Sequence, residues 1–126
     1  MIKYEVKVYA NGTKHWYLNG KRHREDGPAV ESANGDKYWF LNDKRHREDG
    51  PAVEFADGNK EWHLNGKLHR EDGPAIEYVN GGKWWYLNDE GLTEEEHKAK
   101  INPTVEMTME EICEALGKNV KVKQND

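Results

Sequence analysis

Residues 34–56 read NGDKYWFLNDKRHREDGPAVEFA, and the same 23-residue pattern recurs along most of the chain. Its longest fixed string, HREDGPA, stands at residues 23–29, 46–52 and 69–75. Around it the unit is NG-x-K-x-W-x-L-N-[GD]-K-x-HREDGPA-[VI]-E. This sets Trp16, Trp39, Trp62 and Trp85 in one series and Leu18, Leu41, Leu64 and Leu87 in another. A fixed period of this length marks a stack of equivalent supersecondary units. A residue present in every unit is first expected to hold the units together.

Each unit carries Asn-Gly or Asp-Gly between short runs rich in aromatic and β-branched residues, at positions 11–12, 34–35, 57–58 and 80–81. That dipeptide tolerates positive φ at both central positions of a tight turn and predicts a β-hairpin. A two-residue turn at Asn34-Gly35 places Glu31 opposite Tyr38 and Val30 opposite Trp39. Alternation then gathers Val30, Trp39 and Leu41 on one near-invariant face, with Val53, Trp62 and Leu64 and then Ile76, Trp85 and Leu87, and predicts that face as the core. The other face receives Ala29, Glu31, Tyr38 and Phe40 and their counterparts, and varies from unit to unit. The first strand breaks the phase, because Lys7 falls where Val30, Val53 and Ile76 stand. Either it is a capping strand or the turn register is shifted. The polar segment Asn-[Gly/Asp]-Lys-x-His-Arg-Glu-Asp-Gly reads as an ordered loop that ends at the proline before the next strand.

The expected fold is therefore mainly β: a single elongated, twisted antiparallel sheet of tandem hairpins over residues 1–88, about four units with an N-terminal capping strand. A helical tail over residues 89–126 follows. Thr93 with Glu96 and Thr108 with Glu111 have the spacing of capping boxes. Met109, Ile112, Cys113 and Leu116 share one face of a helix stopped by Gly117, and Val120 and Val122 suit a short final strand. The tail is expected to pack on the end of the sheet or over its Trp/Leu face. The sharper alternative is that Glu110, Glu111 and Glu114 dock on a basic partner.

Composition narrows the function classes. Hydrophobic residues make up 35% of the 126 positions and charged residues 34%, which suits one thin, surface-rich domain. Residues 1–88 hold 14 Lys and Arg against 14 Asp and Glu, whereas residues 89–126 hold 5 against 10. The tail thus supplies the acidic excess. The lone Cys113 precludes an internal disulfide, and the opening MIKYEVKVYA lacks the apolar run of a secretion signal, so a cytoplasmic location is expected. No apolar stretch is long enough to span a bilayer.

Over residues 11–88 the chain resembles β-hairpin repeat families, chiefly the MORN repeat with its W-x-x-G-K-x-H-G unit. It departs where those repeats have His-Gly and this chain has His-Arg-Glu-Asp-Gly-Pro. The HREDGPA string and the ending MTMEEICEALGKNVKV also resemble tandem-repeat proteins of tailed bacteriophages. That resemblance implies a phage origin, and so the cytoplasm of a host cell.

His, Arg, Glu and Asp side by side invite a catalytic reading. Three equivalent exposed loops offer no single water-excluding pocket, however, and no catalytic residues are assigned. Metal binding fails on spacing, since equivalent histidines lie about 10 Å apart along such a sheet, and no cofactor is expected. Asp before Gly suits local backbone bonding, Gly permits the turn, and Arg can pair with a Glu of its own or a neighbouring unit. Two candidate binding sets remain. One is a ladder of His23, Arg24, His46, Arg47, His69 and Arg70, able to grip phosphate or carboxylate. The other is the variable face, with Tyr17, Tyr38, Phe40, His63, Trp84 and Tyr86. The carboxylates beside each Arg and the net negative charge disfavour nucleic acid. The leading expectation is a non-enzymatic phage accessory or counter-defence protein that binds and inhibits a bacterial host immune protein. The alternatives are a sponge for a nucleotide-type signal held by the ladder, and a structural self-assembly module. One sheet layer cannot bury both its faces, so the tail, a curl of the sheet or a homodimer must cover the Trp/Leu face.

Overall fold

The computed structural model describes residues 2–103 and 107–116. The chain is mainly β. It opens with β1 (Tyr4–Val8), β2 (Lys14–Leu18) and β3 (Lys21–Arg22). The second unit supplies β4 (Val30–Glu31), β5 (Lys37–Tyr38), β6 (Phe40–Leu41) and β7 (Lys44–Arg45). The third supplies β8 (Val53–Glu54), β9 (Lys60–Glu61), β10 (His63–Leu64) and β11 (Lys67–Leu68). The last has β12 (Ile76–Glu77), β13 (Lys83–Leu87) and β14 (Glu90–Leu92), and two short helices follow, α1 (Glu94–Ile101) and α2 (Met109–Leu116). The main antiparallel sheet runs β1-β2-β4-β5-β8-β9-β12-β13-β14, with β3 beside β2, while β6-β7 and β10-β11 form short ribbons of their own. Among the described residues no helix is long and apolar enough to cross a membrane.

Each unit contains two hairpins, not one, and their turns differ. At Asn34-Gly35 the loop has three residues. The Gly35 N–H donates to the Ser32 carbonyl at 2.9 Å, the Ser32 N–H to the Asp36 carbonyl at 2.9 Å, and Gly35 sits at φ +99°. This is a type I turn closed by a glycine bulge. The Asn34 side chain accepts the Asp36 N–H at 3.1 Å, and Asn11, Asp57 and Asn80 do the same in their own loops. The two-residue turn lies further on, at Asn42-Asp43, with φ of 49° and 66°, and recurs at Asn19-Gly20, Asn65-Gly66 and Asn88-Asp89. What reads as loop in the sequence is therefore a second hairpin, in which β7 folds back on β6.

The extra loop residue shifts the register by one. Val30 lies opposite Tyr38, and Glu31 opposite Lys37. Phe40 thus shares a face with Val30, and Trp39 and Leu41 turn to the other, so the expected core of Val30, Trp39 and Leu41 is corrected. The buried apolar residues are Ala29, Val30, Phe40, Ala52, Val53 and Ala75. The pairing offset of the first strand is regular, since Lys7 opposite His15 repeats that of Val30 opposite Tyr38, so the break there is one of polarity alone, with Lys7 in the row of Val30 and Val6 across from Trp16. Where later units bring a loop against the second hairpin, β1 runs straight alongside it, and the Lys3 carbonyl takes the Asn19 N–H at 2.8 Å.

Two cross-strand rows follow from this register. On one face Lys7, His15, Val30, Tyr38, Val53, Glu61, Ile76 and Trp84 stand in line. On the other, Lys14, Glu31, Lys37, Glu54, Lys60, Glu77 and Lys83 alternate in sign along the whole sheet. Opposite charges directly across strands contribute about 0.2–1 kcal/mol each, and a slipped register would lose them all.

Adjacent units are also stitched by side chains. Thr13 accepts the Ala33 N–H, Asp36 the Ala56 N–H at 2.7 Å, and Asn59 the Val79 N–H. At the far end α1 packs on β13 and β14 behind the predicted capping box: the Glu96 N–H donates to Thr93 Oγ1 at 3.1 Å and the Thr93 N–H to Glu96 Oε1 at 3.0 Å. The repeat geometry extends to Leu92, because β14 occupies the place of β3, β7 and β11. The final strand expected at Val120 and Val122 lies outside the described residues. Asp36→Ala should lower unfolding free energy by about 1 kcal/mol in urea titration, the net worth of the lost bond to the exposed Ala56 amide. An unchanged midpoint would show that these bridges do not couple the units.

Candidate functional site

The HREDGPA loops turn inward. The guanidinium of Arg24 lies 4.0 Å from the ring centroid of Trp16, Arg47 lies 4.0 Å from that of Trp39, and Arg70 lies 3.8 Å from that of Trp62. Each arginine is then bonded along its own loop. Arg47 Nε donates to Asp49 at 3.0 Å, and Nη1 donates to the Pro51 carbonyl at 3.0 Å and to Glu54 at 3.2 Å. Arg24 and Arg70 repeat the pattern. A cation on an indole face is worth about 0.5–2 kcal/mol, and charge-assisted bonds are stronger than neutral ones. The Arg24 bond and charge hold the Asp26 carboxyl below its ordinary value.

Glycine at position 50 answers to this stack. A Cβ there would stand 3.0 Å from Arg47 Cζ, and at Gly73 the corresponding distance to Arg70 is 2.8 Å. Gly27, Gly50 and Gly73 are absent from the positive-φ glycines. Their part in the turn is therefore steric and not left-handed backbone: they make room for the guanidinium.

The histidines are equally engaged. His23 Nδ1 accepts the Asn42 N–H at 3.0 Å, His46 Nδ1 the Asn65 N–H at 2.9 Å and His69 Nδ1 the Asn88 N–H at 3.1 Å. Each bond crosses to the two-residue turn of the next unit and makes Nε2 the protonated nitrogen, facing Glu25, Glu48 or Glu71 at 3.4–3.6 Å. His23 is buried. His46 and His69 also line the grooves between the loops, with Nε2 3.5 and 3.6 Å from the Glu48 and Glu71 carboxylates.

What the loops present outward is carboxylate. The Glu48 and Asp49 side chains are 84% and 87% exposed, against 23% for Arg47. Between successive loops lie equivalent grooves. One, of about 680 Å³, runs between the loops of Glu25 and Glu48 over Trp39 and Leu41, and the next, of about 600 Å³, runs between those of Glu48 and Glu71 over Trp62 and Leu64. A third lies over Trp85, where α1 supplies His97, Lys98 and Ile101 in place of a further loop. His97 is buried, with Nε2 2.7 Å from the Arg70 carbonyl. These acid-rimmed grooves went unseen in the sequence. The eight-residue spacing from each Trp to its Arg was the signal that could have revealed them.

The variable face is not uniformly open. Phe40 and His63 are buried, which corrects their assignment as contact residues. The strand turned back by the second hairpin covers this face, with Arg22 lying 4.4 Å from the Phe40 ring centroid and Arg45 5.6 Å from that of Tyr38. Tyr17, Tyr38 and Tyr86 are half-buried, and Trp84 is 53% exposed. His63 Nε2 contacts Glu61 at 2.9 Å, which holds that carboxyl below its usual value against the upward push of burial. His63 Nδ1 has no hydrogen-bond partner among the described residues. Glu110, Glu111 and Glu114 are exposed on α2, where Thr108 caps the helix through the Glu111 N–H.

Among the described residues no group of three or more His, Cys, Asp or Glu is placed to hold a metal ion. No protein-family model, curated protein or solved structure matches the chain. Gly50→Ala should displace the Arg47 guanidinium, shift tryptophan emission and lower stability by about 1–3 kcal/mol. Unchanged fluorescence and stability would remove close approach as the reason for glycine at this position.

Proposed function

We propose that the chain is a non-enzymatic binding protein that docks on and inhibits a bacterial host protein. The supporting observation is how the repeated string divides: its Arg side chains and the Nδ1 of its His are bonded within the fold, while its Glu and Asp project into solvent along grooves floored by Trp and Leu, which the bonded Arg and His also line. Such grooves suit lysine or arginine side chains of a partner, with aromatic floor and carboxylate rim acting together. The phage resemblance of HREDGPA narrows the target to a host defence protein. A nucleotide sponge would draw on arginine donors, and in each loop Nε and Nη1 already have partners.

Capture from bacterial lysate on the immobilised full chain, repeated with Glu48→Lys combined with Glu71→Lys, tests the reading. Both positions flank one groove, so the captured protein should bind the variant at least about tenfold more weakly. The same purified protein should lose activity on addition of the wild-type chain. Equal binding by the variant would remove the grooves as the contact. Retention of a nucleotide by the wild-type chain, lost in Arg47→Ala, would favour the sponge.

A further inference from the structure

The two ends of the sheet are finished differently. At the C-terminal end β14 and α1 lie against β13. At the N-terminal end β1 pairs only with β2, and among the described residues nothing pairs with its outer edge. The side chains there are apolar and open, with Ile2, Tyr4, Val6 and Val8 all more than half exposed. A five-residue edge strand without proline or bulge is a template for another strand.

The hydrogen-bond phase says which groups are free. The Tyr9 N–H donates to the Thr13 carbonyl and the Asn19 N–H to the Lys3 carbonyl, both at 2.8 Å. In an antiparallel pair such bonds involve alternate residues, so positions 3, 5, 7 and 9 bond towards β2. Tyr4, Val6 and Val8 therefore direct their N–H and C=O groups outward.

We infer that a second copy of this chain docks here, β1 against β1 in antiparallel order about a two-fold axis at Val6, joining two sheets into one. The sequence of the strand is self-complementary in that register. Val6 meets Val6 of the other copy as a hydrogen-bonded pair, and Tyr4 meets Val8 on either side. Glu5 meets Lys7 twice, in the non-hydrogen-bonded positions where side chains approach most closely. Sliding the strands by two residues either way sets Glu5 against Glu5 or Lys7 against Lys7, so charge selects one register. Tyr4 and Val6 stand opposite Leu18 and Trp16 on β2, with Val8 opposite Lys14 at the end of the strand, and pairing continues the apolar strip of Tyr4 and Val6 from one copy into the other.

Light scattering and sedimentation equilibrium on the full chain test this. The wild-type mass should be twice 14.7 kDa. Val6→Pro removes an outward donor and leaves the β1–β2 bonds in place, so it should give a folded monomer by circular dichroism. Glu5→Lys alone, or Lys7→Glu alone, should weaken the dimer at least about tenfold, because symmetry turns two attractions into two repulsions. The combined swap should restore wild-type affinity. Rescue by the combined swap identifies the register even where Val6→Pro fails to fold. A monomeric wild-type chain overturns the proposal, whether the edge stays open or is covered by residues 117–126. A dimer insensitive to the single swaps overturns it as well.

Discussion

A guanidinium lying flat on an indole eight residues behind it sets the path of the chain in each full unit. For Arg47 to reach Trp39, the backbone must leave the second hairpin, double back over the strand and re-enter the sheet at Ala52. The turn that does this would set a Cβ at Gly50 only 3.0 Å from the Arg47 guanidinium, takes its carbonyl partner from Pro51 and ends on Glu54, which lies opposite both Lys37 and Lys60. The fixed string is therefore one mechanical unit: removing the arginine frees the space at Gly50 and costs the Pro51 carbonyl and Glu54 a donor, while Glu54 keeps Lys37 and Lys60 across the strands. The stack also answers how a single sheet covers both faces. The loops lie over the tryptophans on one side, and arms carrying Arg22 and Arg45 lie over Phe40 and Tyr38 on the other. Cations with long aliphatic stems act as lids where a second layer would otherwise be needed.

Much of this was legible in the chain before any coordinates. The period announced a stack of hairpins, and Thr93 with Glu96 announced α1. The register was not legible by the route taken. Asn-Gly occurs twice in the first unit, at residues 11–12 and 19–20, and the dipeptide alone does not say which copy closes a two-residue turn. The Lys at position 37 and the Glu at 31 and 54 could have decided it, since only the observed register lines them up with opposite signs across three strands. The internal bonding of the histidine and arginine ladder was hidden for a different reason. Polar residues at fixed spacing look alike whether they face a ligand or each other, and only the return of the loop shows that these face inward.

Because each unit bonds chiefly to its neighbours, the stack behaves as a one-dimensional array whose ends need separate treatment. The bridges from His46 to the Asn65 amide and from Asp36 to the Ala56 amide are of this nearest-neighbour kind. At the C-terminal end a helix replaces the missing loop and sets His97 against the Arg70 carbonyl, so the last complete unit meets a partner. At the N-terminal end β1 satisfies the Asn19 amide through the Lys3 carbonyl and closes the array on the inside only.

The same economy bears on where specificity can reside. A string that recurs because it shapes its own loop gives the two grooves between successive loops the same walls, so discrimination between partners draws on positions that differ between units or lie outside them. Trp84 is the most exposed of the varying aromatic residues considered for contact, and it lines a hollow with Trp85, Tyr86 and Glu96 at the last unit, where α1 begins. Phe40 and His63, at the position that Tyr86 fills in the last unit, are buried and serve packing, and Tyr38 and Glu61, at the position of Trp84, are half-buried. Variation in the middle of the array therefore adjusts the core, whereas variation at its C-terminal end reaches solvent. Among the varying aromatic residues of the repeats, Trp84 is thus the one most open to solvent.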